Sequence, residues 1–131
     1  MKKVAYLLLG VVSTGLAVAA VVTRSSSWLL LIVFAIAPDL SLLGGVGPGL
    51  ERGQIRPSAV PFYNAVHRFW APAVLTAVAL LVAPAWLAAG LAWIAHIAFD
   101  RSLGFGLRSP EGFQRGTSRL SPAASGDRGR S

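Results

Sequence analysis

The chain has 131 residues and no cysteine. That absence excludes a disulfide framework, and any metal site must be built from imidazole and oxygen ligands without thiolate. Charge is scarce as well. Charged residues make up 13% of the chain, about half of the roughly 25% usual in a soluble domain. Acidic residues are the scarcest, five against twelve Lys and Arg, which leaves a net charge of +7. Only two histidines occur, His67 and His96. The glycine-rich Gly44-Gly45-Val46-Gly47-Pro48-Gly49 lacks the GK[ST] ending of a phosphate loop and implies no nucleotide role. There is no HExxH motif and no internal repeat.

What is present is apolar sequence. Hydrophobic residues make up 54% of the chain, and the charges cluster so that four apolar runs remain, at about 4–22, 28–46, 59–82 and 85–103. A membrane span needs about 20 mostly apolar residues. The pattern predicts an all-α integral membrane protein, a four-helix bundle with short loops over residues 1–113, followed by a disordered basic tail at 114–131 rich in Gly, Ser, Arg and Pro. The first run, after Lys2-Lys3, also has the outline of a signal peptide, but it exceeds the ~7–15 residues of a signal h-region and is read as a retained helix. Ala83-Pro84-Ala85 is a tight connection, so the third and fourth runs should form an antiparallel hairpin. Pro38 interrupts the second run and leaves a carbonyl near Asp39 without its helical donor. Pro72 is expected to kink the middle of the third run.

A basic balance in a soluble protein would suggest nucleic acid. Here the basic residues flank apolar runs, so no nucleic-acid partner is implied and the bilayer itself is the expected partner. Four spans put both ends on one side, with Lys2, Lys3, Arg52, Arg56 and Arg108, while the other side has only Arg24. The positive-inside rule then predicts a multi-pass protein of the inner (plasma) membrane with both termini cytoplasmic. Arg115, Arg119, Arg128 and Arg130 of the tail are placed to touch anionic lipid headgroups. Trp28 and Trp86 read as interfacial belt residues. Oligomeric state is not encoded in any of these features.

His96, Asp100 and Arg101 sit inside the last apolar run. Ionisable residues within membrane segments are costly and mark functional sites by default. With a rise of ~1.5 Å per residue, His96 and His67 each lie about 10 Å, and Asp39 about 12 Å, from the cytoplasmic ends of their spans. Asp100 lies one turn shallower than His96. Topology therefore brings Asp39, His67, His96 and Asp100 to a common level. His96 and Asp100 share a helix face by their i, i+4 spacing. Two imidazoles and two carboxylates suit Zn²⁺, Mn²⁺ or Fe²⁺, and a metal with an open position makes a water nucleophile. Tyr63 and Asn64, one turn before His67, are candidates to orient the ligands or hold substrate, and Arg68 and Arg101 to neutralise an anionic group. The implied activity is metal-assisted hydrolysis at the cytoplasmic leaflet. Two alternatives use the same residues. The aspartates and the arginines Arg68 and Arg101 balance in charge and would fix helix packing by pairing, since an unpaired charge at mid-membrane costs about 3 kcal/mol on an insertion scale. A chain of Asp and His also serves as a proton or ion relay.

The blocks Ala37-Pro38-Asp39-Leu40-Ser41, Tyr63-Asn64-Ala65-Val66-His67 and Trp93-Ile94-Ala95-His96-Ile97-Ala98-Phe99-Asp100-Arg101-Ser102-Leu103-Gly104-Phe105-Gly106-Leu107 resemble a family of small bacterial membrane proteins called domain of unknown function 4260. The likeness covers roughly residues 28–113 and implies a four-helix membrane protein without an assigned activity. A weaker likeness, resting on Pro38-Asp39, His67 and His96, is to membrane-bound metal-dependent hydrolases.

Overall fold

The computed structural model describes residues 2–114. The expected basic tail lies outside the described residues, apart from Gln114. Five α-helices make up the fold: α1 (Lys2–Thr23), α2 (Trp28–Ile36), α3 (Val60–Val66), α4 (Trp70–Val82) and α5 (Leu87–Ser102). Short 3₁₀ helices extend three of them, Ala37–Gly45 after α2, Pro57–Ala59 before α3 and Pro84–Trp86 before α5. Among the described residues there is no strand, only an isolated antiparallel bridge between Arg108 and Gln114. Three helical stretches, Lys2–Thr23, Trp28–Gly45 and Pro57–Val82, are each long and apolar enough to cross a membrane.

The fourth helical stretch, Pro84–Trp86 continued by α5, differs from them in carrying His96, Asp100 and Arg101, which make it the most polar of the four. It is also the most buried element, with Leu87, Ala88, Ala89, Gly90, Ala92, Ala95, Ile97 and Ala98 all covered. The other helices pack around it: α1, α2 and α4 each lie against α5, and α1 and α2 barely touch one another. Their outward faces are apolar and exposed, as at Val11, Leu16, Leu29, Ile32, Val78 and Leu81. A protein with small side chains inside and large apolar ones outside has the distribution that lipid, not water, rewards.

Small residues set the helix spacing. Gly10 of α1 lies beneath Phe99, where a Cβ would come within 2.8 Å of the ring. Gly90 of α5 meets Thr76 of α4 closely enough that a Cβ would stand 2.9 Å from the Thr76 backbone nitrogen. Backbone cannot yield as a flexible side chain does. Gly90→Ala is therefore expected to lower stability by about 1–3 kcal/mol, the usual cost of overpacking, read as a lower melting temperature in detergent. An unchanged melting temperature would show that α4 and α5 are not held this closely.

Polar caps fix the helix order. Ser26, after α1, donates Oγ to Ala85 O (2.9 Å) and accepts from Ala88 N (2.9 Å). Ser27 caps α2 by accepting from Leu30 N. With Ser26 at the start of α5 and Gly10 against Phe99 near its end, α1 runs antiparallel to α5. Helix α2 runs parallel to it, because Ser27 N meets Ala85 O and Ala35 O meets His96 further along. The start of α1, the 3₁₀ stretch after α2, α3 and the end of α5 thus share one end of the molecule.

Two departures from the sequence pattern matter at this end. The third run is not kinked at Pro72: it breaks upstream, at His67-Arg68-Phe69, between α3 and α4. A proline clashes with the carbonyl four residues earlier, here Arg68, and donates no hydrogen bond to it. Pro72 itself falls in the first turn of α4, where no donor is needed. The second run is not a kinked α-helix either, but continues past Pro38 as the 3₁₀ helix Ala37–Gly45.

Candidate metal centre

Carbonyls beside the two helix breaks organise the site. In the 3₁₀ stretch, a bond onto Ala35 O would have to come from the N–H of residue 38, which is proline and has none. His96 Nδ1 instead lies 2.8 Å from Ala35 O. At the other break, His67 Nδ1 lies 2.8 Å from Tyr63 O, so the ring caps the end of its own helix. A carbonyl only accepts, so each Nδ1 carries the hydrogen and each Nε2 is left to face inward.

Both Nε2 atoms face carboxylates. His96 Nε2 is 3.2 Å from Asp39 Oδ1 and 3.3 Å from Asp100 Oδ2. His67 Nε2 is 3.5 Å from Asp100 Oδ2 and 3.8 Å from Asp39 Oδ1. Neither Nε2 has a hydrogen-bond partner, and both are shielded from solvent. One ligand atom from each of the four residues falls within 4.8 Å of all the others. Ligands at ~2.0–2.1 Å from a tetrahedral ion lie roughly 3.3 Å apart, and the observed His–Asp separations of 3.2–3.8 Å bracket that value.

Exposure is graded across the cluster. The side chains of His67 and His96 are 3% and 7% exposed, that of Asp100 23% and that of Asp39 52%. On the Asp39 side lies a cavity of about 230 Å³ between α1, α2 and α5, with His96 and Asp100 in its wall.

The neighbouring polar residues have separate tasks. Tyr63 supplies the carbonyl that orients His67, and its ring stacks on the His67 imidazole at 4.0 Å. Asn64 uses its whole amide on the backbone of Arg108, donating to O and accepting from N. Arg101 donates Nη2 to His67 O (3.2 Å) and lies over the Phe69 ring. Trp93 Nε1 takes Val66 O (2.8 Å), the other carbonyl left by the break. Arg68 is exposed. Among the described residues, the close contacts of the Asp39 and Asp100 carboxylates with basic side chains are all with histidine rings, and none is with an arginine. The arginines are drawn instead to backbone oxygens or to the surface.

Arg108 is a residue the sequence pattern did not single out beyond its charge. It is 8% exposed. Its Nη1 donates to Gly53 O and Gly112 O, and its guanidinium covers the Tyr63 ring, with Cζ 5.0 Å from the centroid. Guanidinium, phenol and imidazole thus form one stack that ends at His67. The only hint in the sequence is that glycines flank both loops, and here Gly53 and Gly112 adopt positive φ (79° and 99°) that present the two carbonyls.

No curated protein and no solved structure matches the chain. A family model does match, over residues 5–118 and so most of the length, and the chain belongs to the family described as domain of unknown function (DUF4260).

Proposed function

We propose that Asp39, His67, His96 and Asp100 bind one divalent transition-metal ion (zinc, manganese or iron), and that the protein is a metal-dependent hydrolase of the inner membrane with this site in the cytoplasmic half. One observation carries the reading. Two buried imidazoles each give Nδ1–H to a backbone carbonyl and aim a partnerless Nε2 at carboxylate oxygens. A neutral Nε2 presents a lone pair, which repels a carboxylate unless a cation stands between them. A dication neutralises the two carboxylates. Two protons would also do so, but each proton bond points along one line to one oxygen. Four ligand atoms that all lie within 4.8 Å of one another are instead near enough to close around one ion. A ligating histidine whose other nitrogen donates to a carbonyl is the usual arrangement at metal sites.

Bound there, the metal would polarise a water and lower its pKa to about 7. Four protein ligands close a tetrahedral shell but leave two positions on a six-coordinate ion. Asp39, the most exposed of the four, stands where water and substrate arrive from the cavity and is the ligand best able to shift. The cytoplasmic orientation is supported by Lys2 and Lys3 lying at the cluster end and Arg24 at the other.

The test is elemental analysis of detergent-purified protein, before and after chelation and reloading. About one ion per chain is expected, together with chelator-sensitive, metal-restored hydrolysis of ester or phosphoester substrates in mixed micelles. A chain that holds no stoichiometric metal after reloading defeats the proposal. A relay would instead carry a pH-driven proton flux in liposomes that Asp100→Asn abolishes.

A further inference from the structure

The cavity beside the cluster has a shape that names a class of substrate. Helices α1 and α2 both rest on α5 and scarcely touch each other, so a crevice runs between them with α5 as its floor. Its floor and walls are Thr14 and Ala17 from α1, Leu31 and Ala35 from α2, and Ala92 and Ala95 from α5. The small side chains of Ala92 and Ala95 keep the floor low. From Ala92 to Asp100 the crevice follows α5 for about 12 Å. One end is apolar, and the other holds Asp39, His96 and Asp100. The rim opens outward at exposed Thr14 and half-buried Leu31, between the apolar exposed side chains Val11, Val18 and Ile32. That face is the one a bilayer would cover.

Charge narrows the class further. With the two aspartates balanced by an ion, the nearest remaining charges are cationic. Lys3 reaches the end of α5 beside Gly104, Arg101 lies against His67, and Arg68 is exposed in the adjoining break.

We propose that this crevice takes the apolar chain of an amphiphile laterally from the bilayer and delivers its anionic head to the Asp39–His67–His96–Asp100 cluster. The inference rests on the metal reading of that cluster and adds the substrate class to it: a lipid-like molecule with a phosphate or similar anionic group, rather than a water-soluble one. The second crevice, of about 310 Å³ between α1 and α4 near Arg24, is lined by Leu16, Leu80, Leu87 and Leu91. It has no histidine or carboxylate in its wall and serves as the control.

The test uses the full chain loaded with Mn²⁺ in maltoside detergent and dodecyl phosphate as probe. The readout is the paramagnetic enhancement of its ³¹P relaxation, which reports distance to the manganese. Strong enhancement is expected in the unmodified protein. Ala92→Leu, which fills the crevice floor, should cut it about tenfold, since about two buried methylene groups carry that much affinity. Thr14→Phe should do the same from the opposite wall, in case Ala92→Leu does not fold. Leu80→Trp in the control crevice should leave it unchanged. Manganese content should be equal in all four proteins. Full enhancement in manganese-loaded Ala92→Leu and Thr14→Phe would overturn the crevice proposal alone. Failure of the unmodified protein to bind manganese would overturn the metal reading beneath it.

Discussion

His96→Ala is expected to release the metal. Structural zinc sites of four ligands are worth roughly 10–16 kcal/mol, so one ligand carries about 3 kcal/mol, or about 100-fold in affinity. The variant should therefore emerge from purification with little or no ion, and any hydrolysis that depends on the ion should fall with it. The control is thermal melting with and without added metal. A ligand that binds only the folded state stabilises by about 2.7 kcal/mol at a hundredfold excess over its dissociation constant. That shift should appear in the unmodified protein and vanish in His96→Ala. If the histidines were only packing residues, His96→Ala would melt lower with or without metal, and added metal would shift neither protein.

Pro38→Ala should weaken metal binding while leaving the protein at least as stable. Pro38 opens the 3₁₀ stretch, in which the Asp39 N–H reaches back to Ile36 rather than to Ala35, and His96 Nδ1 takes Ala35 O at 2.8 Å. With alanine there, a regular helix can continue, and a backbone N–H competes for the Ala35 carbonyl. The turn per residue also changes by about 20° between 3₁₀ and α geometry, which swings Asp39 out of register with the cluster. Loss of such an orienting partner commonly costs 10–100-fold in metal affinity. A proline inside a helix costs about 3 kcal/mol, so the melting temperature measured with chelator should not fall. The opposite signs are the diagnostic. Unchanged affinity in a titration would mean that the break at Pro38 does not position His96.

The two proline effects explain how much of the site could be read without coordinates. That Asp39 would lie near a helix break followed from Pro38 alone, because the lost donor is a local, covalent fact. The break at His67 lies several residues upstream of Pro72, since a proline acts on the carbonyl four positions before it. Charge balance between two aspartates and Arg68 and Arg101 was equally legible, yet it does not describe the contacts. Arg101 is held by His67 O, an acceptor that exists only because the helix breaks there. Arg108 counts toward a positive face by composition. Its burial depends on two glycine carbonyls from loops 59 residues apart meeting at its guanidinium, and no local pattern encodes that meeting.

Four apolar runs, their separation by polar turns, and the few ionisable residues within them are properties of the chain itself. Hydrophobicity and helical rise act locally and suffice to set the all-helical class and the common level of Asp39, His67, His96 and Asp100. Which helix is innermost was decided only in three dimensions. The alanine-rich helix α5 takes the centre because close approach of three neighbours requires small side chains on several of its sides. The direction of His96 Nε2 was likewise decided there, because its ring is turned by Ala35 O of a partner helix, whereas His67 is turned by Tyr63 O of its own helix.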